Sequence, residues 1–462
     1  MLFDELFIQR MLTGQVLYGA APLNATFSID TRTLVPGDIF VALEGENFDG
    51  HSFIAQALKK GASGVILASD KKDYLTGIDA SLLHESYIVA VSDPSEALFA
   101  LASAWRAQFE YPVVGITGSV GKTSTRELIS HILHKNAINH LATHNNENSA
   151  LGVALTLLRM RNEHKVALIE MGVSKRGEMK HLAQLVRPTI GVITAIGHSH
   201  MEGLGSVHDI AAEKRDIFAY FKESNIGVIN GDQAVLASVA YRHPVIKVGE
   251  KTSNQIQARK IQLHDGKSSF VLKIYDKKFS VSLATSHHGP IMNALAATAV
   301  THLLKVPWEA IAQAIGQQQV VAGRFEAVKL KAGKGVIIND CYNANPESMK
   351  AALIALQNMD TSAAKIAVLG DMLELGSNGP FWHRQLGRFL RKVPSLRHVV
   401  LVGTMVEWTK KTIPLGLEVE SVATWQEAVA LLEKQLHTEA VVLVKGSRNI
   451  GLTNLVQAFR EL

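Results

Sequence analysis

A three-domain α/β fold is what this sequence predicts, on three observations. Short apolar runs, Gly- or Asp-containing turns and helical patterns alternate along the chain, which is the signature of parallel α/β structure. The length, 462 residues, corresponds to about three domains at roughly 150 residues each. A Gly-rich segment lies between an apolar strand and a helical pattern, where a phosphate-binding turn belongs.

The first block, 1–110, has short strands at Ile39–Leu43, Val65–Leu67 and Tyr87–Val91, with an amphipathic stretch at Ser52–Lys60. Tyr111-Pro112 marks a boundary, because the residue before proline avoids the helical region. The second block, 111–320, has strands at Val113–Thr117, Val166–Met171, Ile190–Ile196 and Ile226–Asn230. A β-hairpin, Ser269–Tyr275 with Lys278–Leu283, and a helix at Ile291–Leu304 follow. The third block, 321–462, alternates strands (Gly335–Asp340, Lys365–Leu369, His398–Val402, Ala440–Val444) with helices (Pro346–Gln357, Trp425–Gln435), the pattern of a small doubly wound domain.

Composition excludes several classes. With 47% hydrophobic and 19% charged residues the chain can bury a large core, against disorder. No apolar run approaches the ~20 residues of a membrane span, and the N-terminus carries acids, Asp4 and Glu5, where a signal peptide carries positive charge. A single cysteine, Cys341, forms no internal disulfide. The expectation is a cytoplasmic protein. The net charge of +5 and pI near 9.0 are spread along the chain without basic runs, and aromatics are only 6%. No nucleic-acid partner is expected; small anions are the better match for local cations.

The strongest motif is Thr117-Gly118-Ser119-Val120-Gly121-Lys122-Thr123-Ser124, after the strand Val113–Ile116 and before the helical pattern Thr125–Leu133. Glycines let backbone N–H groups face phosphate oxygens and the helix start adds partial positive charge. Lys122 supplies a point charge for the β- and γ-phosphates, and the Thr123 hydroxyl can reach Mg²⁺. Downstream, Glu170 ends a neighbouring strand, as a metal ligand or as a strand-end acid. In Gly197-His198-Ser199-His200 a His-x-His pair lacks further ligands at zinc spacing, so loop histidines are an equal reading. By itself Lys214, in Glu213-Lys214-Arg215-Asp216, reads as a solvated helix face, and His287-His288-Gly289 is unremarkable.

Further segments complete a pattern: Asp30-Thr31-Arg32, Pro36–Leu43, Asp49–Phe53, Asn146 and Asn148 before Leu151-Gly152-Val153, Asn293–Ala297, Gly323-Arg324-Phe325-Glu326, Asp340–Pro346, Gly370–Gly376 and Lys445–Arg448. With the loop, they resemble the Mur ligase superfamily over essentially the whole chain. The resemblance implies a small N-terminal α/β UDP-binding domain, a central P-loop ATPase-like parallel-sheet domain and a C-terminal Rossmann-like ligase domain in a monomer. It implies an ATP-dependent ligase of peptidoglycan synthesis that joins D-alanyl-D-alanine to UDP-N-acetylmuramoyl-tripeptide through an acyl phosphate.

By the same resemblance, Ser28, Thr31, Arg32, Asp49, His51, Asn146 and Asn148 face the UDP substrate. Gly118–Ser124, Asn293, Arg324, Asp340 and Asn343 face ATP. Thr123, Glu170, His200 and a carbamylated Lys214 hold two Mg²⁺ ions, and Lys122, Lys214, His200 and Arg324 carry the chemistry. Asn345, Lys445 and Arg448 lie on the C-terminal substrate side, and domain closure assembles the site. Ser149 and Gly289-Pro290 depart from the family pattern, where Asn and His-Asn are usual. A folylpolyglutamate-synthase-like or L-alanine-adding ligase is argued against by Asp340–Pro346 and Gly370–Gly376. A diaminopimelate- or lysine-adding ligase is argued against by the absence of D-N-P-R, and a nucleotide switch by the absence of N-K-x-D.

Overall fold

Apolar strands that alternate their side chains between two faces must be covered on both, and the chain solves this three times. The computed structural model describes residues 5–45, 48–264, 266–285, 287–318, 322–330, 335–435 and 439–461. Residues 1–4 and the expected boundary at 320/321 lie outside them.

The first sheet contains β1 (Gly14–Tyr18), β2 (Thr26–Ser28), β3 (Asp38–Val41), β4 (Gly64–Ala68) and β5 (Tyr87–Val91) in the order β1-β5-β4-β3-β2, parallel except for β1. The second contains β6 (Val113–Thr117), β7 (His140–Ala142), β8 (Val166–Glu170), β9 (Ile190–Ile193), β10 (Ile226–Asn230), β11 (Val245–Gly249), β12 (Ile256–His264), β13 (Lys267–Ile274) and β14 (Lys277–Leu283). Its order is β14-β13-β12-β11-β10-β9-β6-β8-β7. The third contains β15 (Glu326–Lys329), β16 (Gly335–Asn339), β17 (Ala364–Gly370), β18 (Leu396–Val402), β19 (Glu418–Val422) and β20 (Ala440–Lys445) in the order β15-β16-β20-β17-β18-β19, with only β15 antiparallel.

Alternation along the buried strands builds the layers. In β8, Ala167 and Ile169 join one apolar cluster while Val166 and Leu168 join the cluster on the opposite face. In the third sheet, Ala367 and Leu369 face one way and Ile366 and Val368 the other. The first cluster continues from the first sheet (Ile39, Val41, Ile66, Val89) through Trp105 to β8, so these two sheets share a core. Trp105 donates its indole N–H to the Met160 carbonyl at 3.1 Å, and Arg106 bonds the carbonyls of Val186, Phe109 and Arg187 at 2.9, 2.8 and 3.2 Å. These bonds satisfy the buried polar atoms of the Pro94–Arg106 helix.

The α/β expectation holds, with local corrections. The second sheet is parallel from β7 to β12, but β13 and β14 extend it antiparallel. The strand expected to reach Ile196 stops at Ile193; past it the chain turns to the phosphate loop, with the Thr194 hydroxyl on the Val120 carbonyl at 2.6 Å and the Ala195 carbonyl accepting the Ser119 N–H. Ser52–Lys60 is a 3₁₀ turn, Gly50–Phe53, followed by the helix Ile54–Lys59. The helix after the Gly-rich loop starts at Lys122, three residues early, because Gly121 at φ +87° lets the chain enter it directly. The helix expected from Ile291 starts at Gly289, with Pro290 in its first turn where a missing N–H costs nothing.

Candidate active site

The C-terminal ends of β6, β8 and β9 and the loops of the third sheet enclose a cavity of about 1100 Å³. Gly118, φ +151°, approaches β9 so closely that a Cβ would stand 2.0 Å from the Thr194 hydroxyl. Gly118→Ala is therefore expected to lower stability by ~2 kcal/mol or more and to weaken ADP binding, measured by thermal unfolding and calorimetry. Wild-type values for both would show that the loop tolerates a side chain. The loop is braced from β9: Ser119 N–H donates to the Ala195 carbonyl at 2.7 Å and its hydroxyl to the Gly197 carbonyl at 3.1 Å. Val120, Gly121, Thr123 and Ser124 line the cavity beside Lys122. Lys122 Nζ donates to the Gly118 carbonyl at 2.8 Å. Burial holds the Lys122 pKa below its usual range; Glu170 opposes that shift and Arg324 adds to it.

Glu170 is buried beneath this loop. Its Oε1 accepts from the Thr123 hydroxyl at 3.0 Å and from Asn148 Nδ2 at 2.8 Å. Its Oε2 has no hydrogen-bond partner among the described residues and lies 3.7 Å from the Arg126 guanidinium. A buried carboxylate oxygen left open beside a threonine hydroxyl is a donor set that fits a hard divalent cation. Arg126 also bonds the carbonyls of Thr143 and Asn145, tying the Asn146–Asn148 loop to the phosphate loop.

The helix Val207–Arg215 buries Lys214, contrary to a solvated-face reading. Its ammonium forms no hydrogen bond or ion pair among the described residues. Desolvation and the nearby Lys122 charge push its pKa down to about 7 against the pull of Glu213. Glu213 is occupied in turn by the backbone N–H groups of Gly177 and Met179, both at 2.8 Å.

The third sheet closes the cavity. Arg324 stacks on the Tyr342 ring, its guanidinium carbon 4.0 Å from the centroid, and its Nε is buried without a partner among the described residues. Asp340 accepts the Phe325 N–H at 3.1 Å and pairs with Lys445 Nζ at 2.7 Å. Asn343 uses its Oδ1 on the Ala344 N–H at 2.8 Å. Asn293 lines the cavity with its Oδ1 occupied by the Thr125 hydroxyl at 3.3 Å.

Side-chain contacts join the β9 loop to the third unit. His198 pairs with Glu347 and its ring lies 4.1 Å from that of Trp382. His200 Nδ1 lies 2.7 Å from Glu374, whose pKa is lowered chiefly by the facing imidazole. Asn345 Nδ2 donates to Ser199 Oγ at 2.8 Å. Sequence reasoning gave His198 no such partner and gave no role to Thr194, Glu347 or Glu374; a strand-end threonine and two helix- or loop-borne acids carry no local signal.

Asn345 and Lys445, expected on the C-terminal substrate side, line the cavity and already hold protein partners there. Asn345 caps the helix Pro346–Gln357 through the Ser348 N–H at 2.8 Å while bonding Ser199, so its amide is used at both ends. Lys445 is neutralised by Asp340 and donates to the Asn343 carbonyl at 3.0 Å. Arg448 lines the cavity. Cys341 is buried and its pKa is raised to about 12 by burial, so it is a packing thiol.

Of the residues expected at the UDP end, Asn146 and Asn148 line the cavity and the other five do not. Ser28 bonds the Asp30 carbonyl at 3.1 Å, and Thr31 bonds Gln56 at 3.2 Å. Arg32, well exposed, pairs with Asp30 at 2.6 Å. Asp49 keeps a pKa of about 2 despite desolvation, drawn down by bonds from the His51 N–H and ring and the Tyr74 hydroxyl. His51 uses Nδ1 on Asp49 at 2.6 Å and accepts the Ala68 N–H on Nε2 at 3.0 Å. With both nitrogens engaged, His51 orients Asp49 and has no free nitrogen for a ligand, a correction to the direct contact expected of it.

A phosphate loop with an open carboxylate beneath it, closed by cations from a second α/β unit, defines an enzyme that works on a nucleoside triphosphate. Family models match three successive stretches: the Mur ligase family catalytic domain at 26–106, the Mur ligase middle domain at 116–301 and the Mur ligase glutamate ligase domain at 323–448. The UDP-N-acetylmuramoyl-tripeptide–D-alanyl-D-alanine ligase of Escherichia coli strain K12 is 32% identical, covering 98% of this chain and 97% of that protein. The ligase of the same name from Bacillus subtilis is 32% identical over 94% and 92%. A MurF crystal structure from Acinetobacter baumannii superposes with a TM-score of 0.86 at 28% identity, covering 100% and 99%. The MurF ligase of Thermotoga maritima, solved with ADP, gives 0.80 at 27% identity over 95% and 97%. This chain belongs to the Mur ligase family, among its MurF-type, ATP-dependent ligases.

Proposed function

We infer that this chain joins D-alanyl-D-alanine to the peptide carboxylate of UDP-N-acetylmuramoyl-tripeptide, with ATP as the energy source, as a cytoplasmic monomer in peptidoglycan precursor synthesis. Its domains are 1–110 for the UDP end, 111–320 for ATP and 321–462 for closure and the incoming dipeptide. The observation that carries the reading is the convergence of Lys122 and Glu170 from one α/β unit with Arg324 from another on a single cavity, with Lys214 buried close enough to Lys122 to feel its charge. That convergence suits an enzyme that must bring an anion to an anion. Full-length relatives of that activity support it.

Joining a carboxylate to an amine is uphill in water without activation. A carboxylate oxygen of the tripeptide attacks the γ-phosphorus, ADP departs, and an acyl phosphate remains. The amine of D-alanyl-D-alanine adds to the acyl carbon, loses its proton, and phosphate leaves as the amide forms. The backbone of Gly118–Ser124 cradles the phosphates, and Asn293, Asp340 and Asn343 face the nucleoside. Asn146 and Asn148 approach the acceptor's reacting end, while Ser28, Thr31, Arg32 and Asp49, positioned by His51, hold its UDP end. Lys122 and Arg324 neutralise charge as the phosphoryl group moves, which is the main demand of this chemistry. Arg448 is left as the cation for the dipeptide side. The pairs His198–Glu347 and His200–Glu374 hold the third unit over the cavity and keep water from the acyl phosphate.

The open Oε2 of Glu170 beside Thr123 fits one Mg²⁺. His200 and a carbamylated Lys214 fit a second. A neutral Lys214 amine adds carbon dioxide to form a carbamate and releases a proton; the product attracts Lys122 where the ammonium repelled it. Bound Mg²⁺ would supply charge neutralisation and alignment of the attacking carboxylate with the γ-phosphate.

Phosphate release tests the activity: it should require the UDP-tripeptide and D-alanyl-D-alanine together, and steady hydrolysis without them would favour a nucleotide switch. Arg324→Ala should lower kcat by ~10² or more while UDP-substrate binding changes by less than about threefold. A loss confined to binding would remove Arg324 from the transition state.

A further inference from the structure

We propose that His287 is the hydrogen-bond donor that reads the base of ATP in this enzyme, an inference that rests on the cavity being the ATP site. His287 stands between β14 and the helix Gly289–Leu303 and lines the cavity, as does Phe325. Its Nδ1 accepts the Gly289 N–H at 2.9 Å. A ring nitrogen that accepts carries no proton, so in the neutral imidazole the proton sits on Nε2 and makes it a donor. Burial keeps the ring neutral, with a pKa pushed down to about 4; Asp340 opposes this, while Lys445 and His288 add to it. Nε2 forms no hydrogen bond among the described residues, and the ring is braced by Phe325, 5.4 Å away between centroids.

The local backbone leaves the base few other donors on this wall. The Gly289 N–H is spent on His287, Pro290 has none, and the Ile291 N–H bonds the His288 carbonyl at 3.1 Å. A neutral donor beside the Phe325 ring and within the field of the Asp340 carboxylate is poorly suited to phosphate, whose charge meets Lys122 and Arg324 elsewhere in the cavity. It is well suited to a ring-nitrogen acceptor of a flat purine.

Two substitutions separate this role from a structural one. His287→Asn places an amide oxygen near the Nδ1 position, so it can keep the Gly289 bond while losing the reach of Nε2. His287→Gln places an amide nitrogen near the Nε2 position. Calorimetry with ADP should show His287→Asn binding ~10-fold more weakly and His287→Gln recovering most of that loss, the scale of one hydrogen bond. The unsubstituted enzyme's preference for ADP over CDP should shrink by the same factor in His287→Asn. ADP affinity unchanged in His287→Asn, no recovery in His287→Gln, or an unaltered ADP/CDP ratio would each overturn the proposal. Failure of the unsubstituted enzyme to bind ADP at all would instead overturn the reading of the cavity.

Discussion

Lys122→Ala should lower kcat/KM by ~10³ or more while leaving the fold intact. Lys122 lies in the first turn of the helix behind the phosphate loop, close enough to Glu170 and Arg324 to share their field, and already partly desolvated. Among the described residues its only hydrogen bond is to the Gly118 carbonyl at the loop's entry, so the loop is braced chiefly by Thr194, Ala195 and Gly197 rather than by this side chain. The substitution therefore removes charge from the transferring phosphoryl group without unmaking the cradle. It also relieves repulsion of Lys214, whose pKa should rise from about 7. Initial rates and thermal unfolding measured together check this. A variant with near-normal turnover would remove Lys122 from the chemistry, and one that unfolds would make it a structural residue.

Lys214→Ala should be equally damaging to turnover, by ~10³ or more, and added bicarbonate should not restore it. A buried amine beside another cation lowers stability when protonated, and this one is depressed from 10.5 to about 7. The sign of the linkage follows. Between pH 7 and 10.5 the unfolded chain binds a proton that the folded chain does not, so the unmodified enzyme gains stability as pH rises through that window. In the unsubstituted enzyme, acidifying below about 7 charges the amine and should cost both the carbamate and activity. At low carbon dioxide, activity should return on adding bicarbonate, and intact-protein mass should show the gain of one carbon dioxide. Near-wild-type turnover in Lys214→Ala would end the carbamate account; no bicarbonate response in the unsubstituted enzyme would weaken it equally.

Local chemistry was legible in the sequence, and long-range chemistry was not. Gly118, Gly121, Lys122 and Thr123 act through their own loop and helix start, so strand, glycine and lysine in order announced them. Glu170 was legible as an acid at a strand end, but its open Oε2 depends on Asn148 and Arg126, which come from other segments. Lys214 looked solvated because its neighbours Glu213, Arg215 and Asp216 are charged; only packing shows Glu213 turned inward to cap the start of the helix Glu178–Val186. The contacts of His198 with Glu347 and of His200 with Glu374 join residues far apart in sequence, and no local pattern encodes such a pair. Among the strands, β7 has three residues and β1 and β15 are antiparallel edges, too short or too polar for their period to stand out.

The account turns on one bond: oxygen from the peptide carboxylate to the γ-phosphorus of ATP. The most direct test supplies UDP-N-acetylmuramoyl-tripeptide labelled with ¹⁸O in its terminal carboxylate, together with ATP and D-alanyl-D-alanine, and measures the isotope in the released phosphate. Attack by the carboxylate and later loss of phosphate from the acyl carbon predict one labelled oxygen in each phosphate. Amide formation with unlabelled phosphate would contradict the acyl phosphate, and with it the roles given to Lys122, Arg324 and Lys214.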